Sequence, residues 1–201
     1  MGDLMILNGS PRAPRSNSKR YAELFSSYYP GSTQTFPITR NNHQELCARI
    51  DGVSRLLLVF PLYADTLPVP LLDFLKSLKA YSPRQKPTVS VLVNCGFLEP
   101  RQNEVAVRML RLYCRRNGYP FGSVLMIGSG EAILDSPFRF LAARKIQRFA
   151  RAVAREDCGT FQVTMPLTKG IFVRAAASYW ERYGKRYGIT KEQMQTMDIE
   201  P

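Results

Sequence analysis

The chain has 201 residues, 45% of them hydrophobic and 22% charged, with a formal net charge of +12. That composition fits one folded core and excludes a disordered chain. No basic leader precedes an apolar run, and no stretch approaches the roughly 18 apolar residues of a membrane span, which reads as a cytoplasmic protein.

The opening run Leu4-Met5-Ile6-Leu7 leads into the loop Asn8-Gly9-Ser10-Pro11-Arg12-Ala13-Pro14-Arg15-Ser16-Asn17-Ser18. Tyr21, Leu24 and Phe25 then recur at helical spacing. A helix start presents unpaired N–H groups and the positive end of its dipole, and small residues let a phosphate approach the backbone. Ser10, Ser16, Asn17 and Ser18 offer neutral donors, and Arg12 or Arg15 a planar cationic fork. Ordinary capping and turn chemistry would use the same residue types, so both readings stand at this point. The loop is neither a Walker A loop nor a Gly-x-Gly-x-x-Gly fingerprint.

A short strand is expected over 32–38, then a brief helix through Leu46, Cys47 and Ile50, with the lone histidine, His43, facing solvent at its start. Residues 54–60 are almost continuously apolar, as in a parallel strand buried on both faces. The loop Pro61 to Pro68 follows, then a helix with Leu71, Leu72, Leu75 and Leu78 in its apolar stripe. Thr88 to Val93 is a fourth strand, ending at Asn94-Cys95-Gly96-Phe97. The next helix, from about Gln102 to Arg116, is expected to turn Val105, Met109, Leu112 and Tyr113 inward and to stop at Asn117-Gly118. Ser123 to Ile127 is a fifth strand, ending at Gly128-Ser129-Gly130. A long helix follows Pro137, its apolar positions including Phe140, Leu141, Ile146, Phe149 and Val153.

After Thr160, Phe161-Gln162-Val163 can form an extra short strand, and 171–187 reads as an amphipathic helix carrying the lone tryptophan, Trp180, as a packing residue. One domain spans residues 1–201, with 160–201 a C-terminal helical extension. Repeated strand and helix with near-continuous apolar strands indicates a doubly wound parallel sheet, in which ligands lie beyond the carboxyl ends of the strands where strand order reverses. The loops at 8–18, 61–68 and 94–97 share that end, as does the Gly128-Ser129-Gly130 turn.

Four cysteines, Cys47, Cys95, Cys114 and Cys158, are scattered without Cys-x-x-Cys spacing and read as buried free thiols. With His43 alone, neither a His-rich metal site nor a Ser-His-Asp or Cys-His arrangement can be assembled. Asp65 and Asp135 read as turn or cap residues. Arg108, Arg111, Arg115 and Arg116, then Arg144, Lys145, Arg148, Arg151 and Arg155, lie along two expected helices. Such faces attract nucleic acid, anionic lipid, acidic partners or phosphorylated cofactors.

Gly9-Ser10-Pro11-Arg12 with Ser16-Asn17-Ser18, Pro61-Leu62-Tyr63-Ala64-Asp65, and Asn94-Cys95-Gly96-Phe97 together resemble the three cofactor loops of the flavodoxin-like flavoproteins, in particular the NAD(P)H-dependent FMN and quinone reductase group. The resemblance covers about residues 4–155. It implies a flavodoxin-like five-stranded sheet of order 2-1-3-4-5. It also implies an FMN phosphate held by Ser10, Arg12, Ser16, Asn17 and Ser18, and an isoalloxazine lined by Pro61, Leu62, Tyr63 and Ala64, with Asn94, Cys95, Gly96 and Phe97 at its other edge. The implied activity is reduction of a quinone, a flavin or another small acceptor by NAD(P)H through FMN, in a homodimer. The closely spaced cysteines of the iron-sulfur relatives are missing here. An FMN electron carrier without direct NAD(P)H use is an alternative, although such carriers are usually acidic. A basic module binding nucleic acid or an acidic partner is another, against which the lack of aromatic interleaving in the basic stretches argues.

Overall fold

The computed structural model describes residues 4–12 and 15–196, so the Ala13-Pro14 part of the opening loop and residues 197–201 of the tail lie outside it. Strand and helix alternate as β1 (Leu4–Asn8), α1 (Asn17–Tyr28), β2 (Thr33–Pro37), α2 (His43–Ile50), β3 (Arg55–Pro61), α3 (Val69–Tyr81), β4 (Thr88–Asn94), α4 (Glu104–Asn117), β5 (Phe121–Ile127), α5 (Arg139–Arg155) and β6 (Thr160–Val163). Among the described residues the strands form one parallel sheet of order β2-β1-β3-β4-β5-β6. The five expected strands keep the expected order. The sheet is one strand larger, because Thr160 to Val163 pairs in parallel with Val124 to Ile127 and becomes the edge. The chain divides into two compact units, Met1–Met165 and Pro166–Pro201.

Within the first unit, β3 and β4 have interiors buried on both faces, the reason their sequences run apolar without alternation. One face packs Met5, Leu7, Leu58, Phe60, Val91 and Val93 against Leu46 and Ile50 of α2, Phe74 and Leu78 of α3, and Leu110 of α4. On α1 and α5, Phe25 and Phe149 meet edge to face at 5.5 Å. Each such ring contributes roughly 1.5–3 kcal/mol by leaving water.

Three helix faces depart from expectation. On α4 the buried residues are Ala106, Val107, Leu110 and Cys114, whereas Val105 is 53% exposed and Leu112 is also exposed. Apolar residues ring this helix, and the face turned inward carries the small side chains Ala106 and Cys114 together with Val107 and Leu110. Met109 and Tyr113 lie at the flank, where Tyr113 Oη donates to the Leu75 carbonyl (2.9 Å) and Met109 Sδ accepts from Thr66 Oγ1 (3.1 Å). On α5, Ile146, Phe149 and Val153 are buried, but Phe140 in its first turn is exposed. His43 is half-buried instead of fully solvent-facing: its Nδ1 lies 3.0 Å from Ser77 Oγ and its ring meets Phe74 edge-on at 5.7 Å. Cys47, Cys95 and Cys114 are buried free thiols, whereas Cys158 is exposed.

Gly118 caps α4 with φ 73°, and its N–H donates to the Cys114 carbonyl. Gly118→Ala places a β-carbon in the left-handed region and is expected to cost about 1 kcal/mol in urea unfolding.

The second unit contains α6 (Lys169–Lys185) and α7 (Lys191–Met194). Thr168 caps α6, its side chain accepting from Ile171 N, and Thr190 with Gln193 forms a capping box for α7. Gly184 is the buried residue of α6, and it permits close approach of Met194, whose sulfur would lie 2.8 Å from an added methyl. Trp180 packs edge-on against Tyr179 and Tyr183 yet stays 46% exposed. No helix among the described residues is long and apolar enough to cross a membrane.

Candidate functional site

Parallel register places the strand ends side by side. Asn94 at the end of β4 stands opposite Pro61 at the end of β3 on one side and Ile127 at the end of β5 on the other. β1 lies between β2 and β3, so the chain leaves it toward one edge and returns toward the other. That reversal opens a crevice beyond the carboxyl ends, where the loops after β1, β3 and β4 emerge.

The first loop is folded by its own side chains. Asn8 Oδ1 accepts from Ser10 N (3.0 Å), and Ser10 Oγ accepts from Arg12 N (3.3 Å). Ser16 caps α1, accepting from Lys19 N at 3.2 Å, and Asn8 Nδ2 approaches its hydroxyl at 3.5 Å. A hydroxyl that accepts one such bond keeps its own proton to donate. Ser10 is buried, Ser16 and Asn17 are half-buried, and Arg12 and Arg15 are exposed. The first turn of α1 carries no acidic residue. This donor set of hydroxyls, a helix N-terminus and flanking guanidinium groups suits a phosphate dianion.

The loops are tied together by one buried amide. Asn94 Nδ2 donates to Ser18 Oγ (3.1 Å) on α1 and to the Phe60 carbonyl (3.1 Å) on β3. Ser18 is therefore directed into the molecule, as a brace beneath the first loop. Asn17 reaches the loop after β5 by donating from Nδ2 to the Glu131 carbonyl (3.4 Å). Tyr21 Oη donates to the Gly130 carbonyl (2.9 Å), and burial drives its phenol pKa far above the usual tyrosine range.

In the second loop Leu62 N donates to the Asn94 carbonyl (2.8 Å), and a tight turn follows in which Tyr63 and Thr66 bond each other through their backbones. The two residues at its tip, Ala64 and Asp65, both have left-handed backbones, at φ 46° and 56°. Neither is glycine, so the turn carries strain of the order of 1–2 kcal/mol per residue. It projects Tyr63, 38% exposed, from the carboxyl edge.

In the third loop Phe97 is 51% exposed, and a methyl added at Gly96 would meet nothing within 4 Å. Cys95 is turned inward, where Asn103 Nδ2 approaches its sulfur at 3.3 Å and burial raises its thiol pKa. Its carbonyl accepts from Gly130 N at 2.7 Å. The structure thus brings the backbones of all three loops together, while Ser18, Asn94 and Cys95 face inward and Tyr63, Ala64, Gly96 and Phe97 face out.

Asn8 and Tyr21 complete the scaffold together with the Gly128-Ser129-Gly130 turn, expected at this end. An asparagine at the end of an apolar strand is the signal for the first, since a polar side chain there must fold back on its own loop.

Arg20 makes a two-pronged contact with Asp135 (2.9 and 2.6 Å) beside this scaffold and donates to Asn17 Oδ1 (3.1 Å). The hydrogen bond from Arg20, ahead of the general attraction of its charge, holds the Asp135 carboxyl below its ordinary pKa. A depressed carboxyl contributes stability above its unfolded pKa, and the contribution is lost as pH falls through the folded one. Both side chains are substantially exposed, so Asp135→Asn is expected to cost at most about 1 kcal/mol at neutral pH. The difference from wild type should begin to shrink near pH 4 and be gone only once the pH has fallen below the depressed folded pKa, as measured by denaturation across pH.

No protein-family model matches the chain, and comparison with curated proteins finds no match. Solved structures do resemble it. An NAD(P)H:quinone oxidoreductase from Methanothermobacter marburgensis is 17% identical with a TM-score of 0.59, over 75% of this chain and 96% of that one. An FMN-dependent NADH-azoreductase from Bacillus anthracis, solved in complex with FMN, is 15% identical with a TM-score of 0.55, over 77% of this chain and all of that one. A flavodoxin from Streptococcus pneumonia is 13% identical with a TM-score of 0.55, over 76% and 98%. With the strand order and the loop positions, these likenesses identify the architecture of the chain as the flavodoxin-like fold.

Proposed function

We propose that the chain is an FMN-dependent NAD(P)H oxidoreductase that reduces a quinone, a flavin or another small acceptor. The observation that carries this reading is the convergence of the loops after β1, β3 and β4 at the reversal of strand order, bound to one another through the Asn94 amide. Similar structures named as quinone reductases and as an FMN-dependent azoreductase support it.

Bound FMN would supply the hydride and electron transfer. The chain's own residues would hold and orient it. The hydroxyls of Ser10 and Ser16 and the N–H groups at the start of α1 would take the phosphate, with Arg12 and Arg15 adding positive charge and Asn17 and Ser18 setting the loop. The segment Pro61-Leu62-Tyr63-Ala64 would lie along the flavin ring, and the outward backbone of Asn94-Cys95-Gly96-Phe97 would meet its other edge. Neutral donors at that edge would stabilise the negative charge that builds on reduction. A homodimer belongs to the same proposal.

The test is a titration of the protein with FMN, followed by flavin fluorescence and then by anaerobic addition of NADH or NADPH. Saturable binding at micromolar flavin and rapid bleaching by one nucleotide are expected. Absence of binding overturns the proposal; binding without bleaching by either nucleotide replaces it with an electron carrier.

A further inference from the structure

The C-terminal unit has a feature with no part in the proposed chemistry. Helix α6 divides lengthwise into two unlike faces. At 100° per residue, Phe172, Ala176, Tyr179, Trp180 and Tyr183 fall along one stripe, which Tyr187 continues beyond the helix end. On the other side stand Arg174, Arg182 and Lys185, with Ile171 and Glu181 among them; Lys169 in the first turn falls on the stripe, and Arg186 follows the helix end. The rings form a continuous ladder: Tyr179 and Tyr183 stack at 6.3 Å, Trp180 meets Tyr183 at 5.7 Å, and Tyr183 meets Tyr187 at 5.2 Å. Tyr187 is 66% exposed, and Ile171 and Val173 are exposed with it.

Along the stripe Phe172, Ala176 and Tyr179 are half-buried, while Trp180, Tyr183 and Tyr187 keep 39–66% of their surface exposed. The residue types are also unlike those of a core. Tyrosine and tryptophan carry an apolar body with a polar tip, and arginine and lysine a long apolar stem under a charge, which suits a boundary between water and hydrocarbon. The one carboxylate within the helix, Glu181, is paired with Lys191 of α7 at 3.0 Å, so it does not oppose the basic face. The whole chain, at +12, is attracted to the same sign of partner.

We propose that α6 is an interfacial anchor that lies flat on an anionic lipid surface, its aromatic stripe in the headgroup boundary and its basic face toward the phosphates. A helix of 17 residues is roughly 25 Å long, ample for lying in the surface plane without crossing it. Lipid is favoured over a second copy of the chain by charge, since two copies would bring two basic helices together.

The lone tryptophan, Trp180, makes the test direct. The full-length protein is mixed with vesicles of phosphatidylcholine alone, or of phosphatidylcholine with about a third phosphatidylglycerol, and followed by flotation and tryptophan emission. Binding to the anionic vesicles at least about tenfold tighter than to the neutral ones, with emission moved to shorter wavelength and reversed by salt, is expected. Tyr183→Glu with Tyr187→Glu should remove the emission shift. Arg182→Gln, Lys185→Gln and Arg186→Gln together, all at exposed positions, should remove the anionic preference even if the first variant loses its helix. The proposal is overturned if wild type does not float with anionic vesicles, if the charge variant floats as well as wild type, or if the emission shift follows protein concentration or added oligonucleotide instead of lipid.

Discussion

Gly128→Ala should lower the unfolding free energy by about 3 kcal/mol, at the upper end of what overpacking costs. Gly128 follows β5, and a methyl there would sit 2.5 Å from the Leu98 carbonyl oxygen and 3.0 Å from Pro100 N. Both are backbone atoms and cannot swing aside as a side-chain tip would, so the connection from β4 to α4 must move. Gly96→Ala is the matched control: it too lies in a loop at the carboxyl edge, but its methyl would meet nothing within 4 Å and should change stability by less than about 0.5 kcal/mol. Urea unfolding of the two variants, with the denaturant slope unchanged, measures the contrast.

The second large effect concerns the proposed FMN phosphate. Ser10→Ala with Ser16→Ala removes two hydroxyls whose oxygens already accept backbone N–H groups and whose protons remain for a ligand. Hydrogen bonds to a charged group contribute about 1.5 kcal/mol or more each, so FMN binding should weaken roughly 100-fold. Riboflavin, which has no phosphate, should lose no more than about threefold. Equal losses for both ligands would show that the variant disturbs the loop as a whole. Since Ser16 is also the cap of α1, about 1 kcal/mol of stability is expected to go with it, and thermal unfolding separates that cost from the binding effect.

The sheet was legible because a strand buried on both faces has no polar positions to disguise it, as in Leu56-Leu57-Leu58-Val59-Phe60. The loops were legible as loops for the opposite reason, their small and polar residues interrupting every periodicity. Which side of α4 faces inward was not legible, since Val105 and Leu112 are larger and more apolar than Ala106 and Cys114, and closeness to the sheet favours the smaller pair. Nor could composition reveal that Ser18 and Asn94 point at each other across 76 positions of sequence. Both residue types serve equally as ligands and as braces, and only tertiary packing distinguishes them. The role of Tyr21 was hidden for the same reason, since its hydroxyl donates to backbone 109 positions away, whereas Asn8 bonds the backbone of its own loop.

The strand order carries a consequence for how the chain assembles as it is synthesised. β1, the first strand made, ends up inside the sheet between β2 and β3, so its second partner is absent until the chain has been extended to about Pro61. From then on every strand joins the same edge in order of synthesis: β4 on β3, β5 on β4, β6 on β5. The nascent domain therefore always shows one growing edge, whose open amides each wait for the next helix crossover to deliver their partner. Growth stops at β6, only four residues long and largely solvent-facing, a poor template for another strand. Loss of β6 would shorten the sheet by its rim, whereas loss of β1 would leave β2 with nothing to pair against and divide the sheet where the strand order reverses.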